Sequence, residues 1–219
     1  MYIEVSYVRF SPLAVTLSSS AGLAVGIAGP LLESMDNPLT HAASITFVSG
    51  WMYALIAFGA GRAARSKWGA ALTAWGAQLV AVLAYYVTKA IQGDFRVPDF
   101  NDPANKAEFF GWNEFLSMIV VWCLFATVLG PLCGLAGHLS RSDSGPRRPL
   151  LRLPFRLLIP AVVIAETSMR LTYEAGGSDG AVVGPVWTVT RLVAAAAALL
   201  LVVIAIVTTR GRWAMRGAL

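Results

Sequence analysis

The sequence predicts an all-α integral membrane protein whose 219 residues form one bundle of six transmembrane helices. Hydrophobic residues make up 57% of the chain and charged residues only 13%, which excludes an ordinary soluble domain of this size. A hydrocarbon core of roughly 30 Å requires about 20 consecutive apolar residues in a helix. Six runs meet this requirement, at about 11–33, 41–61, 68–91, 113–138, 154–174 and 186–209.

The charged residues predict how these helices cross the membrane. If the six runs are spans, twelve of the seventeen Lys and Arg residues lie on one side, and ten of the twelve Asp and Glu residues lie toward the other. Loops rich in Lys and Arg remain in the cytoplasm, so we expect a multi-pass protein of the cell membrane with both termini cytoplasmic. This topology explains the net charge of +5, which therefore does not indicate nucleic acid. The lipid bilayer, including its anionic headgroups, is the expected partner.

The first three spans carry polar and aromatic residues near the outer side. In span one, Pro30 predicts a kink and Pro38 an end, since each proline lacks a backbone donor. Span two contains several aromatic residues and closes on a tight turn into span three. Small residues in both spans predict that these two helices approach closely: Gly59, Gly61, Gly69, Ala70 and Ala71.

The connection at about 92–112 is the longest outer loop and contains five aromatic residues. Because so many aromatic side chains are rarely left in water, we expect this loop to fold over the outer end of the bundle as a lid. Span four follows and contains Cys123 and Cys133. Ten residues on one helix separate them by about 15 Å, too far for a disulfide. Span six, rich in Ala, Leu and Val, is predicted to face lipid.

Span five carries charges inside an apolar run. Glu166, Arg170 and Glu174 are spaced by four, so one helical face presents acid, base and acid. An ionisable residue this deep in a span costs several kcal/mol unless it is paired or hydrated. One interpretation is a structural pair between Glu166 and Arg170. The other is a protonatable carboxyl that faces a cavity, and intramembrane carboxylates are by default functional candidates.

Other acids and aromatic residues are predicted to surround Glu166 if the bundle is closed. The acids are Glu33 and Asp36 at the end of span one and Glu114 at the start of span four. Aromatic faces stabilise cations, so an acid in a dry aromatic pocket suits either carbocation chemistry or binding of a cationic or amphiphilic ligand. Candidate wall residues are Trp51, Tyr53, Tyr85, Tyr86, Phe110, Trp112, Phe115, Tyr173 and Trp187, with Arg170 as a further ligand contact. Motifs for metal or nucleotide binding are absent, so no metal or cofactor is expected.

Several segments resemble known membrane proteins. The runs GLAVGIAGPLLESMDNPL, FGAGRAARSKWGAA, AYY, GPLCGLAGH and AET, within about residues 20–175, resemble a group of small actinobacterial multi-span membrane proteins. Proteins of this size and hydropathy also resemble the membrane-bound terpene cyclases of the drimentine type. This resemblance implies a metal-independent enzyme that acts on a prenylated substrate, with a carboxylic acid as the initiating proton donor and a base that removes the final proton.

Two functions follow as hypotheses, beside a third interpretation as an accessory membrane protein with no chemistry. The first is a membrane-bound, metal-independent terpene or meroterpenoid cyclase. In it Glu166 protonates an alkene or epoxide of an apolar prenyl chain, and Glu33 or Asp36 serves as a second acid or base. The second hypothesis is a small-molecule transport or substrate-binding membrane subunit that uses the carboxylate of Glu166 for proton coupling.

Overall fold

The computed structural model describes residues 11–98, 108–141, 148–174 and 180–216. These residues form seven helices and one short antiparallel hairpin of two strands, β1 and β2. The all-α fold class is therefore confirmed. In chain order the elements are α1 (Pro12–Glu33), α2 (Pro38–Phe47), α3 (Gly50–Ala63), α4 (Lys67–Gln92), β1 (Arg96–Pro98), β2 (Glu108–Phe110), α5 (Trp112–Leu139), α6 (Arg148–Tyr173) and α7 (Gly180–Arg216).

Four helices are long and apolar enough to cross a membrane: α1, α4, α5 and the Gly180–Thr209 part of α7. The pair α2 and α3 forms a fifth candidate, bent by 52° at a short break. Helix α6 has 26 residues and a length of about 39 Å, but each 18-residue window of it contains three charged residues. Four to five candidate spans are thus established within the described chain, and a sixth span remains a prediction.

Local signals place the helix ends close to the predicted boundaries. Asn37 caps α2 by accepting a hydrogen bond from the backbone N–H of Leu39, and Ser66 caps α4 in the same way through Gly69. Helix α4 ends at Gly93, whose φ of 94° lies in the left-handed region that favours glycine.

The second predicted span, 41–61, is not continuous. Its helix stops at Val48 and starts again at Gly50, because Ser49 adopts an extended conformation with ψ of 144°. The Ser49 hydroxyl donates to the carbonyl of Thr46, and Ser49 itself is fully buried. The break leaves the first backbone N–H groups of α3 without acceptors in their own helix, so they need partners from elsewhere in the chain.

Glycines set the contact between α3 and α5. A Cβ atom at Gly61 would overlap the backbone of Gly134, and one at Gly137 would overlap the carbonyl of Phe58. The expectation that Gly61 serves the contact between spans two and three is therefore corrected, since its neighbour is α5. Gly59, included in the same expectation, has open space around it.

The described ends of the 92–112 loop pack against α4 and α5. Phe95 is buried and contacts the rings of Tyr86, Phe110 and Phe115. Residues 99–107, which include Phe100 of the predicted lid, lie outside the described residues. Phe109 and Trp112 remain exposed, so only part of the aromatic content is buried by the described segments.

Candidate functional site

A cavity of about 390 Å³ lies between α3, α4, α5 and α6. Its volume falls in the range of small-molecule sites. The wall is apolar except for Glu166, Gln78 and the tyrosines. Apart from these residues and two further aromatic ones, the lining consists of Val48, Gly50, Ala54, Val82, Ala126, Leu129, Cys133 and Val162. The shape and chemistry suit a ligand that is mainly apolar.

Five aromatic residues line this cavity: Tyr53, Tyr85, Tyr86, Trp122 and Phe125. The three tyrosines belong to the aromatic wall expected from the sequence, whereas the two α5 residues were not predicted. The α5 side chains are about half exposed, at 48% and 54%, so this wall continues to the lateral surface of the bundle. The α5 residues that line the cavity share one face of the helix, as the spacing of positions 122, 125, 126, 129 and 133 in the sequence indicates.

Glu166 occupies the junction between the cavity and the broken span. Its Oε1 accepts hydrogen bonds from Gly50 N–H at 2.9 Å and from Arg170 Nε at 3.0 Å, and its Oε2 accepts from Trp51 N–H at 2.7 Å. The side chain is 15% exposed. Glu166 therefore caps α3, because its carboxylate binds the backbone donors that the break leaves free and lies at the positive end of the helix dipole.

Arg170 links this cap to the C-terminal end of α6 and the N-terminal part of α7. It pairs with Glu166 and, through Nη1 at 2.9 Å, with Glu174, whose Oε2 accepts from Trp187 Nε1 at 3.1 Å. The Arg170 guanidinium also lies 5.1 Å from the centre of the Trp187 ring. The acid, base, acid pattern read from the sequence thus forms a connected network.

The other predicted acids do not join Glu166. Glu33 pairs with Lys89 at 3.1 Å, and Lys89 also binds Asp94 at 2.7 Å, forming a separate ion-pair group. Asp36 and Glu114 are exposed. None of these three predicted acids lines the cavity, so Glu166 is the carboxylate that the fold brings to it.

The remaining predicted wall residues also lie outside the lining. Trp51 contributes its backbone N–H rather than its ring, Trp187 is fully buried in the Arg170 network, and Tyr173 is 81% exposed. Phe110 packs with Trp112 and Phe115 beside the hairpin. Of the aromatic residues that the sequence suggested for the wall, only Tyr53, Tyr85 and Tyr86 are among the residues that line this cavity.

Among the described residues no group of three or more His, Cys, Asp or Glu side chains is arranged to hold a metal ion. Residues 8–219 match the family model of DUF6518, a family of unknown function. The chain belongs to the DUF6518 family. No curated protein and no solved structure matches it significantly.

Proposed function

We propose that this DUF6518 protein is a membrane-bound, metal-independent terpene cyclase that holds the prenyl chain of an apolar substrate in the cavity. The observation that carries the proposal is that Glu166, the one carboxylate among the cavity-lining residues, shares this cavity with five aromatic residues. The resemblance to drimentine-type cyclases points to the same class of reaction.

Glu166 serves in this proposal as both acid and base. Its Oε1 holds two hydrogen bonds and its Oε2 only one, from Trp51, so a proton is carried on Oε2 when that single bond opens. The proton passes to a terminal alkene carbon of the prenyl chain. One C–H bond forms, the π bond is lost and a tertiary cation remains.

Ring closure then proceeds without further reagents. A second alkene of the same chain attacks the cation, so a π bond is exchanged for a C–C bond. The final cation loses a proton from a neighbouring carbon to the Glu166 carboxylate, which restores the acid. Substrate and product are isomers, and the faces of Tyr53, Tyr85, Tyr86, Trp122 and Phe125 stabilise the intermediate cations by about 0.5–2 kcal/mol each.

We also propose six spans, with α6 as the fifth, and both termini in the cytoplasm of a cell-membrane protein. Supporting this topology, the α3–α4 and α5–α6 connections and the helix ends beside them carry the Arg and Lys residues that the positive-inside rule places in the cytoplasm. Within α6 the charges of Glu166 and Arg170 are paired with each other, which lowers the cost of inserting them.

Turnover by the purified chain tests the proposed activity. Wild-type protein in nanodiscs is incubated with prenylated aromatic substrates in the presence of a metal chelator, and cyclic isomers are sought by mass spectrometry and NMR. We expect a product of unchanged mass from the wild type and none from Glu166→Gln. Glu174→Gln is the matched control, since Glu174 contacts Arg170 but does not line the cavity. Equal turnover by Glu166→Gln would refute Glu166 as the acid.

A small-molecule transporter is the second candidate, favoured by the broken span. Half-helices that begin inside the membrane form binding sites in many transporters, and α3 begins at the cavity with its N-terminus bound to Glu166. Proteoliposomes with an imposed pH gradient test this candidate. Accumulation of a labelled ligand without its chemical conversion would favour transport over cyclisation.

A further inference from the structure

The three cavity tyrosines have hydroxyl groups without hydrogen-bond partners in the described chain. Tyr53, Tyr85 and Tyr86 all line the cavity, and the side-chain hydrogen bonds of the described residues include none from their hydroxyls. In the described part of the chain, the buried side-chain atoms that are inaccessible and lack a hydrogen-bond partner are His41 Nε2, Trp51 Nε1 and His138 Nδ1. The three tyrosine hydroxyls are not among these atoms. The hydroxyls are therefore not sealed inside the protein, and the residues that carry them line the cavity.

Gln78 adds a fourth polar group to the same wall. Its side chain is buried, with 5% exposure, and its Nε2 donates to the carbonyl of Tyr53 at 3.3 Å. This bond orients the carboxamide and leaves its Oε1 without a donor among the described residues. Hydroxyl and carboxamide groups in an apolar membrane cavity are costly unless a ligand or water supplies hydrogen bonds.

The charge of the cavity limits what this ligand group can be. Glu166 is the charged residue among those that line it, and it is an acid. Two cations contact lining residues, and both are already paired with acids: Arg170 binds Glu166 and Glu174, and Lys89, 5.9 Å from the Tyr85 ring, binds Glu33 and Asp94. A phosphate or diphosphate would therefore meet the carboxylate of Glu166 and compete with acids for these cations, whereas a neutral oxygen accepts bonds from tyrosine hydroxyls without this penalty.

We propose that the ligand of this cavity is a prenyl compound carrying a neutral oxygen, a hydroxyl or a carbonyl, which the hydroxyls of Tyr53, Tyr85 and Tyr86 recognise. This inference rests on the proposed function and narrows its substrate class. It assigns the apolar chain to the aromatic and aliphatic wall, and the oxygen to the tyrosine side of the cavity. Prenyl hydrocarbons and prenyl diphosphates are accordingly poor ligands.

Equilibrium binding of three matched probes tests the inference: farnesol, the hydrocarbon farnesene and farnesyl diphosphate, each titrated into the full chain in nanodiscs with empty nanodiscs subtracted. We expect wild-type protein to bind farnesol about tenfold more tightly than farnesene, which is the difference that one or two neutral hydrogen bonds provide. It should bind farnesyl diphosphate more weakly than farnesol. Tyr53→Phe and Tyr85→Phe should each reduce farnesol affinity about threefold or more and leave farnesene affinity unchanged. The unchanged farnesene affinity also shows that the cavity remains folded.

Tyr173→Phe is the matched control, because Tyr173 is exposed and does not line the cavity; it should leave all three affinities unchanged. Equal affinities for farnesol and farnesene, insensitive to the cavity Tyr→Phe changes, would overturn the inference and indicate that only water meets the hydroxyls. Tightest binding of the diphosphate would overturn it on the ground of charge. Selective farnesol binding without any turnover of prenylated substrates would support the inference and refute the proposed cyclase activity. Absence of binding by all three probes would refute both the inference and the cyclase activity.

Discussion

Substitution of Glu166 tests the junction on which both the fold of α3 and the proposed chemistry depend. The carboxylate joins α6 to residues more than a hundred positions earlier in the chain, through Gly50 N–H and Trp51 N–H, and it pairs with Arg170. Glutamine keeps the shape of the side chain but has one acceptor oxygen. Its amide nitrogen must then face a backbone N–H, so one donor of the broken helix loses its acceptor.

The expected loss of stability follows from these contacts. An unsatisfied buried donor costs about 1–3 kcal/mol, so Glu166→Gln should destabilise the protein by about 2 kcal/mol. Glu166→Ala removes both acceptors and leaves Arg170 without its inner partner, for which about 3–5 kcal/mol is expected. With about 2–4 °C per kcal/mol for a chain of this size, the glutamine variant should melt about 4–8 °C below wild type. Glu174→Gln changes an acid that is 41% exposed. Its single acceptor oxygen leaves either Arg170 or the indole N–H of Trp187 without this partner, so a loss of about 1 kcal/mol is expected.

Thermal unfolding of the three variants in one detergent, followed by tryptophan fluorescence, measures these differences. Activity is assayed well below the lowest melting temperature, so that loss of turnover is separated from loss of folded protein. A melting temperature of Glu166→Gln within about 2 °C of wild type, less than the shift expected from one lost hydrogen bond, would refute the capping role. Greater destabilisation by Glu174→Gln than by Glu166→Gln would refute the ranking of the network.

Three further predictions concern packing and topology. Gly61→Ala should destabilise the bundle by at least about 1–3 kcal/mol, because its Cβ would overlap an α5 carbonyl. Gly76→Ala is the control and should be nearly neutral, because the space around Gly76 is open. Equal melting temperatures of the two variants would contradict the contact between Gly61 and α5. Ser140→Ala should lower the free energy of unfolding by about 1–3 kcal/mol. The reason is that the hydroxyl of the fully buried Ser140 accepts from Arg62 of α3 at 2.9 Å and donates to the carbonyl of Gly137 at 2.7 Å. An unchanged free energy of unfolding would show that these two hydrogen bonds do not stabilise the protein. In a chain whose two native cysteines are replaced by alanine, Glu108→Cys should react with an impermeant maleimide in whole cells and Arg65→Cys only after lysis, and the reverse pattern would invert the topology.

The helix positions were predictable from sequence because they depend on local properties. A run of about 20 apolar residues is a helix in a membrane whatever its neighbours are, so α1 (Pro12–Glu33), α4 (Lys67–Gln92) and α5 (Trp112–Leu139) agree with the predicted runs to within a few residues. The uneven placement of Arg and Lys predicts orientation for the same reason. The spacing of Glu166, Arg170 and Glu174 likewise predicted a helical network that the fold contains.

The residues around the site were not predictable in the same way. In a soluble helix the apolar face identifies the core, but in a membrane helix the face toward lipid is apolar as well. Trp122 and Phe125 therefore read as lipid-facing residues, although they line the cavity. Phe110 and Trp112 were predicted as wall residues, although Phe110 belongs to β2 and its ring packs against that of Trp112 at the start of α5.

The sequence by itself determined the fold class, the approximate helix boundaries and the presence of an unusual carboxylate inside an apolar run. The tertiary structure alone decided which residues distant in sequence that carboxylate contacts. Ser49 and Gly50 read as ordinary positions in a span, and only the arrival of Glu166 from α6 provides the acceptors that a helix beginning at Gly50 requires. Contacts between residues far apart in sequence depend on how whole helices pack, and this packing is set by small residues such as Gly61 and Gly134, whose effect appears only when two backbones meet.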